Sequence, residues 1–172
     1  MGDGMSNSTK SDLRSLLVMR HGEAADGVLD HARPLTPRGE KEVGVMARWL
    51  AARVEQGELA CPTLYASPFL RAQQTAQQIS DALGCPVQTL SFITPDDRIS
   101  TVINWLLNLP EEGPVMLVSH MPLVGELAGL LVDGPLSRGM SFSTAAIAEL
   151  EGEVWAMGCA QLKCYTQPSQ LG

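Results

Sequence analysis

The 172-residue sequence predicts a three-layer α/β fold, with a mostly parallel central sheet flanked by helices. Two observations carry that expectation. Short apolar runs alternate with longer stretches in which apolar residues recur at helical spacing. Proline or glycine punctuates most of the junctions between them. Strands that alternate with helices imply a mostly parallel sheet covered on both faces.

The elements follow in order. Ser15 to Arg20 (SLLVMR) is an apolar run fit for a buried strand. Thr36-Pro37 then supplies a helix cap and a proline at the first helical position. That helix carries Val43, Ala47, Leu50 and Val54 on one face and stops at Gly57. Thr63 to Ser67 is the second strand, and Ser67-Pro68 repeats the cap-and-proline device. The stripe Phe69, Ala72, Ala76, Ile79, Leu83 makes the next helix, ending at Gly84. Pro86 to Leu90 is a short third strand. A helix with Ile99, Val102, Ile103 and Leu106 ends before Pro110. Pro114 to Ser119 is the fourth and most apolar strand, and a helix from about Pro122 carries Leu123, Leu127, Leu130 and Leu131 to Gly134. Ala145 to Leu150 and Trp155 to Leu162, joined across Glu151-Gly152-Glu153, close the fold as an antiparallel hairpin.

The length suits one domain, read as residues 15–165 between a disordered tail at 1–14 and a loose tail at 166–172. Met5 or a later residue is an alternative start to Met1, and Met1-Gly2 with Ser6 matches a myristoylation pattern, a weak signal alone. Hydrophobic residues make up 45% of the chain, enough for a core without a disulfide or metal staple. No run of 18 apolar residues occurs, so no membrane span is expected. The net charge of −7 argues against nucleic acid as a partner. Cys61, Cys85, Cys159 and Cys164 form no C-x-x-C pair, and without a secretory signal they are expected to be reduced thiols of a cytoplasmic protein. Three scattered histidines give no metal-ligand spacing. There is no G-x-G-x-x-G, Walker A or G-x-S-x-G string.

Ligands of open α/β sheets bind outside the carboxyl ends of the strands. There the first strand ends in Arg20-His21-Gly22, the second in Ser67 with Arg71 four residues on, and the fourth in Ser119-His120. Arg71 falls in the first turn of its helix, where a cation opposes the helix dipole by roughly 0.3–1 kcal/mol. A bound anion reverses that sign. Two guanidiniums and two imidazoles at one sheet edge suit a phosphoryl group, because arginine gives planar bidentate contact to its oxygens. Such cations neutralise transferring charge without a metal. Gly22 fits a sharp turn with close backbone approach.

The ordered set Arg20-His21-Gly22, Leu35-Thr36-x-x-Gly39, Ser67-Pro68-x-x-Arg71-Ala72-x-x-Thr75-Ala76 and Ser119-His120 resembles the histidine phosphatase superfamily, with its phosphoglycerate mutase-like fold. The tighter strings Arg33-Pro34-Leu35-Thr36, Ser67-Pro68-Phe69-Leu70-Arg71-Ala72 and Ser119-His120-x-Pro122-Leu123-Val124-Gly125 resemble its SixA-type phosphohistidine phosphatases. The resemblance runs from about Leu16 to Leu162. It implies that His21 is the nucleophile that becomes phosphorylated, that Arg20 and Arg71 hold the phosphoryl oxygens, and that His120 is the second pocket histidine. Arg33 is placed at the pocket rim, with a plain surface-loop arginine as the alternative.

Mutase-like members that cleave phosphate esters use a carboxylic acid to protonate the leaving alkoxide, and no clear equivalent is present. Asp96 and Asp97 lie in the right stretch, but Thr94-Pro95-Asp96-Asp97 reads equally as helix capping. Glu23 is a weaker candidate. Imidazole, with a pKa of about 6.5, leaves far more easily than an alkoxide. The expectation is therefore a phosphohistidine phosphatase that needs no cofactor or metal. Its partner is expected to be a phosphorylated histidine-containing protein, either the HPt domain of a sensor kinase or a phosphocarrier, and the enzyme is expected to be a monomer. The alternative is a small-molecule phosphomonoesterase of the same superfamily.

Overall fold

The computed structural model describes residues 13–110 and 113–172, so the expectations placed on residues 1–12 lie outside the described residues. Six strands form one sheet: β1 (Arg14–Arg20), β2 (Thr63–Ala66), β3 (Val87–Thr89), β4 (Val115–Ser119), β5 (Ile147–Gly152) and β6 (Ala160–Thr166). Their order is β3-β2-β4-β1-β5-β6. The pairs β3·β2, β2·β4 and β4·β1 are parallel, while β1·β5 and β5·β6 are antiparallel. Four α-helices connect them: α1 (Pro37–Glu55), α2 (Leu70–Leu83), α3 (Ile99–Leu107) and α4 (Leu123–Asp133).

Alternation along the strands makes the three layers. Leu17 and Met19 of β1, Leu64 and Ala66 of β2, and Met116 and Val118 of β4 pack with Val43, Met46 and Leu50 of α1 and with Ala72, Ala76 and Ile79 of α2. Leu16, Val18, Tyr65, Val115 and Leu117 point the other way, onto Val102 and Leu106 of α3 and Leu127 and Leu131 of α4. β4 is buried along its whole length, which is why it reads as an unbroken apolar run. A buried carboxylate on β5, Glu149, takes a forked contact from Arg53 of α1, at 2.8 and 3.3 Å.

Several boundaries differ from the sequence reading. Pro37 and the Thr36 cap start α1 as expected, with Thr36 Oγ1 accepting from the Gly39 amide at 2.9 Å. Ser67, however, does not cap α2. Phe69 holds that place with no side-chain cap, because α2 begins at Leu70, three residues past Ser67, and a phenyl ring carries no acceptor. The last strand is Ala160–Thr166 rather than 155–162, and residues up to Cys159 form the connection. Trp155 is buried through packing in the core rather than as a strand residue. The chain after β6 is not loose throughout: a short 3-10 helix spans Pro168–Gln170, closed by reciprocal Gln167 and Gln170 side-chain bonds.

Candidate active site

Strand pairing brings the site together. β1 and β4 are central neighbours with Arg20 opposite Ser119, so the next residue of each strand, His21 and His120, leave the sheet side by side. Their ring centroids are 4.9 Å apart. β2 lies on the other side of β4, and the Ser67 amide donates to the Val118 carbonyl at 3.0 Å. Ser67 therefore emerges next to His120. α2 follows immediately and turns Arg71 back over the same edge. Of the described buried polar or charged residues, His21, Ser67, Arg71, Thr75, Ser119 and His120 gather here, and Glu149 alone does not. Burying polar groups costs free energy unless they are bonded, so their concentration at one edge marks the site.

The hydrogen-bond network fixes the His21 tautomer. Nδ1 lies 2.7 Å from the Gly22 carbonyl, an acceptor only, so Nδ1 carries the proton. Nε2 is left with its lone pair, and the Arg71 Nε–H donates to it at 3.2 Å. Gly22 is pinned in turn: its amide donates to Thr75 Oγ1 at 3.1 Å, and that hydroxyl donates to the Arg71 carbonyl at 2.8 Å. A Cβ at Gly22 would sit 2.7 Å from Val43 Cγ2, so only glycine fits where the strand turns into the loop.

Burial holds both imidazoles neutral. The His21 pKa falls to about 4, chiefly by desolvation, with Arg71, Arg20 and Arg33 adding to the effect against the Gly22 bond. The His120 pKa falls to about 3, again first by desolvation and then by His21 and Arg71. Arg20 donates through Nη1 to the Phe142 carbonyl at 2.8 Å. Among the described residues, two buried side-chain nitrogens lack a partner, Arg20 Nε and His120 Nδ1, and both belong to this cluster. An oxyanion lodged there would satisfy both donors.

The loop after β1 forms the rim. Asp30 opens a short 3-10 helix, Asp30–Ala32. Its carbonyl accepts from Arg71 Nη1 at 2.7 Å, and its carboxylate meets Arg71 Nη2 at 3.4 Å and Arg33 Nη1 at 3.0 Å. Arg33 thus stands at the rim, held also by its Nε bond to the Ala25 carbonyl at 2.8 Å. The Asp30 carboxyl lies below its ordinary pKa, first because of the Arg33 hydrogen bond, so it stays ionised. The three candidate acids are placed elsewhere. Glu23 accepts from the Thr36 hydroxyl at 2.8 Å. Asp97 accepts from the Thr94 amide and hydroxyl, both at 2.7 Å, which closes a turn ahead of α3; it does not cap that helix, whose cap position is Arg98 with no side-chain bond. Asp96 is exposed. Sequence reading brought Arg20, His21, Arg71 and His120 to one edge, and the structure joins them. It missed Asp30, and it took Ser67 for a cap. An aspartate opening a turn was the available signal for the former.

Residues 16–94 match the model of the histidine phosphatase superfamily (branch 1). The phosphohistidine phosphatase SixA of Escherichia coli K12 is 38% identical over 140 residues, covering 78% of this chain and 83% of that protein. The SixA homolog of Haemophilus influenzae is 33% identical over 144 residues, covering 79% and 87%. A solved structure of the protein histidine phosphatase SixA complexed with tungstate superposes with a TM-score of 0.79 at 32% identity, covering 92% of this chain and 99% of that one. The chain belongs to the histidine phosphatase superfamily, and within it to the SixA-type members. It is a phosphatase with the phosphoglycerate mutase-like fold.

Proposed function

We propose that the chain removes phosphate from a histidine side chain of another protein, through a phosphorylated His21. The observation that carries this reading is the protonation pattern of the site. Both imidazoles are neutral, and the carboxylate touching Arg71 is held ionised. An alkoxide leaving from a phosphate ester needs a proton, and these groups have none to give. A phosphohistidine whose second ring nitrogen carries a proton departs as neutral imidazole and needs none. The SixA relatives bear the corresponding activity in their names.

The steps follow from the bonds already described. The Arg71 Nε–H moves from His21 Nε2 to a phosphoryl oxygen, and the freed Nε2 lone pair attacks phosphorus in line while the partner imidazole leaves with the P–N electron pair. Arg71, already beside Nε2, and Arg20 take up the charge on the phosphoryl oxygens. The proton on His21 Nδ1 stays bonded to the Gly22 carbonyl throughout. Phospho-His21 is therefore itself primed to leave as neutral imidazole when water attacks, and the water protons pass to the phosphate product. Arg33, fixed by Asp30, adds positive charge at the entrance.

The partner is a phosphoprotein. We take it to be an HPt domain or a phosphocarrier met by a monomer of this enzyme in the cytoplasm, where its four free cysteines would persist. The test compares specificity constants for a phosphohistidine protein and an alkyl phosphate at equal concentration. Supplying a proton is worth about 10²–10⁴-fold, so the ester should lag by about that factor. Comparable constants would overturn the reading in favour of a small-molecule phosphomonoesterase, and amide replacement of Asp96, Asp97 and Glu23 in turn would find the acid.

A further inference from the structure

Ser67 is fully buried, and its Oγ lies 2.7 Å from His120 Nε2. The same oxygen accepts the Phe69 amide proton at 3.3 Å. A hydroxyl has one proton to give. Among the described residues, the acceptor within reach of it is His120 Nε2. With Nε2 accepting, the proton of the uncharged His120 ring must sit on Nδ1. That is the buried nitrogen left without a partner, in a ring packed edge-on against His21 at 4.9 Å and against Phe69 at 5.1 Å. The reverse arrangement would turn a bare lone pair toward an incoming anion and leave the serine proton unpaired in the interior, which costs free energy on both counts.

We propose that Ser67 is a positioning residue that locks His120 as its Nδ1–H tautomer, so that His120 serves the reaction as an uncharged hydrogen-bond donor to a phosphoryl oxygen. The proposal rests on the phosphoryl-transfer reading above. It assigns His120 donation without proton release: the Nδ1–H bond stays intact and no atom is transferred. Phe69 contributes by holding the ring plane while its amide occupies a lone pair of the serine oxygen. The serine that looks like a helix cap in the sequence stands two residues ahead of the cap position, Phe69.

The test uses the whole chain, labelled with ¹⁵N in its histidines, and reads ring proton–nitrogen correlations near neutral pH. The wild type should show His120 protonated at Nδ1 alone, Ser67→Ala a mixture of tautomers, and Ser67→Thr the wild-type pattern again. Vanadate, added as the oxyanion probe, should shift the His120 Nδ1–H resonance. Hydrolysis of a phosphohistidine protein by Ser67→Ala should drop about 10- to 100-fold, mainly in kcat, the range expected for a hydrogen bond to a charged group. Ser67→Thr should restore it. A wild-type His120 protonated at Nε2 overturns the proposal whether or not any variant folds. An unaltered tautomer in Ser67→Ala overturns the role of Ser67 and leaves the phosphohistidine reading standing. A locked tautomer whose Nδ1–H resonance ignores vanadate while the His21 resonances respond overturns the donation and leaves the phosphoryl-transfer reading standing.

Discussion

At the scale of single residues, His21 is defined by two opposed bonds. The Gly22 carbonyl fixes a proton on Nδ1, and burial keeps the ring neutral, so Nε2 offers a lone pair where Arg71 can meet the phosphoryl group. His21→Ala should abolish turnover, with loss of acid-labile phosphate incorporation from a phosphohistidine donor. The fold should survive, since the side chain is bonded to its own neighbour and to Arg71 rather than to the apolar core. Turnover within tenfold of wild type would remove His21 as nucleophile. An unfolded variant by circular dichroism would show that the ring carries more packing than these contacts describe. Arg71 binds Nε2, the Asp30 carbonyl and the Asp30 carboxylate together, so its guanidinium is oriented before any substrate arrives.

At the scale of elements, the loop after β1 is locked onto the start of α1. The Thr36 amide donates to the Glu23 carbonyl at 2.9 Å, and a Cβ at Gly39 would collide with that carbonyl oxygen. Gly39→Ala therefore has to push backbone against backbone, where no flexible side chain can yield. It should destabilise the protein by about 1–3 kcal/mol, the usual range for overpacking. The thermal midpoint measures this, and an unchanged midpoint would show that the loop moves aside freely. The same segment shows what the sequence disclosed and what it hid. β1, β2, β4 and the helices α1, α2 and α4 were legible because burial on two faces writes continuous apolar runs and 3.6-residue stripes. β6 was misplaced because it is the sheet edge: Gln161, Leu162 and Lys163 are exposed, and pairing on one side only demands little apolar pattern. The site histidines and arginines were legible because each lies at the carboxyl end of a strand, just past it, or in the first turn of the helix that follows. Asp30 was not, since it acts from an exposed loop whose approach to Arg71 is set by tertiary structure. Nor could serine spacing distinguish a helix cap from a partner of His120, because the strand order that puts β2 beside β4 decides it.

At the scale of the molecule, the cost of assembling this site is a dependence of stability on pH. The His21 and His120 pKa values fall to about 4 and about 3 in the native state, first by desolvation, while an unfolded histidine titrates near 6.5. Above pH 6.5 both rings are neutral in either state, and their contribution to stability is fully present. As the pH drops below 6.5, the unfolded chain binds protons that the native chain refuses, so unfolding becomes more favourable. The loss continues until the native rings protonate, near pH 4 for His21 and lower for His120. Each histidine should lower stability by up to about 1.4 kcal/mol per pH unit across that window. The two rings touch, so protonation of one resists protonation of the other, and the native protein should take up its first proton before the second. Urea unfolding at pH 7.5, 6 and 5 should therefore give falling midpoints, and His21→Gln should show a shallower fall than wild type, because one depressed group is gone. Turnover should follow a different course over the same interval. The nucleophile of the free enzyme remains neutral down to about pH 4, so its ionisation should not lower kcat/KM at pH 6.5 as that of an ordinary histidine would. A midpoint that holds steady from pH 7.5 to 5, or a kcat/KM that halves near 6.5 on a substrate that does not itself titrate there, would mean that the rings are hydrated and that the neutral-site account of the selectivity is wrong.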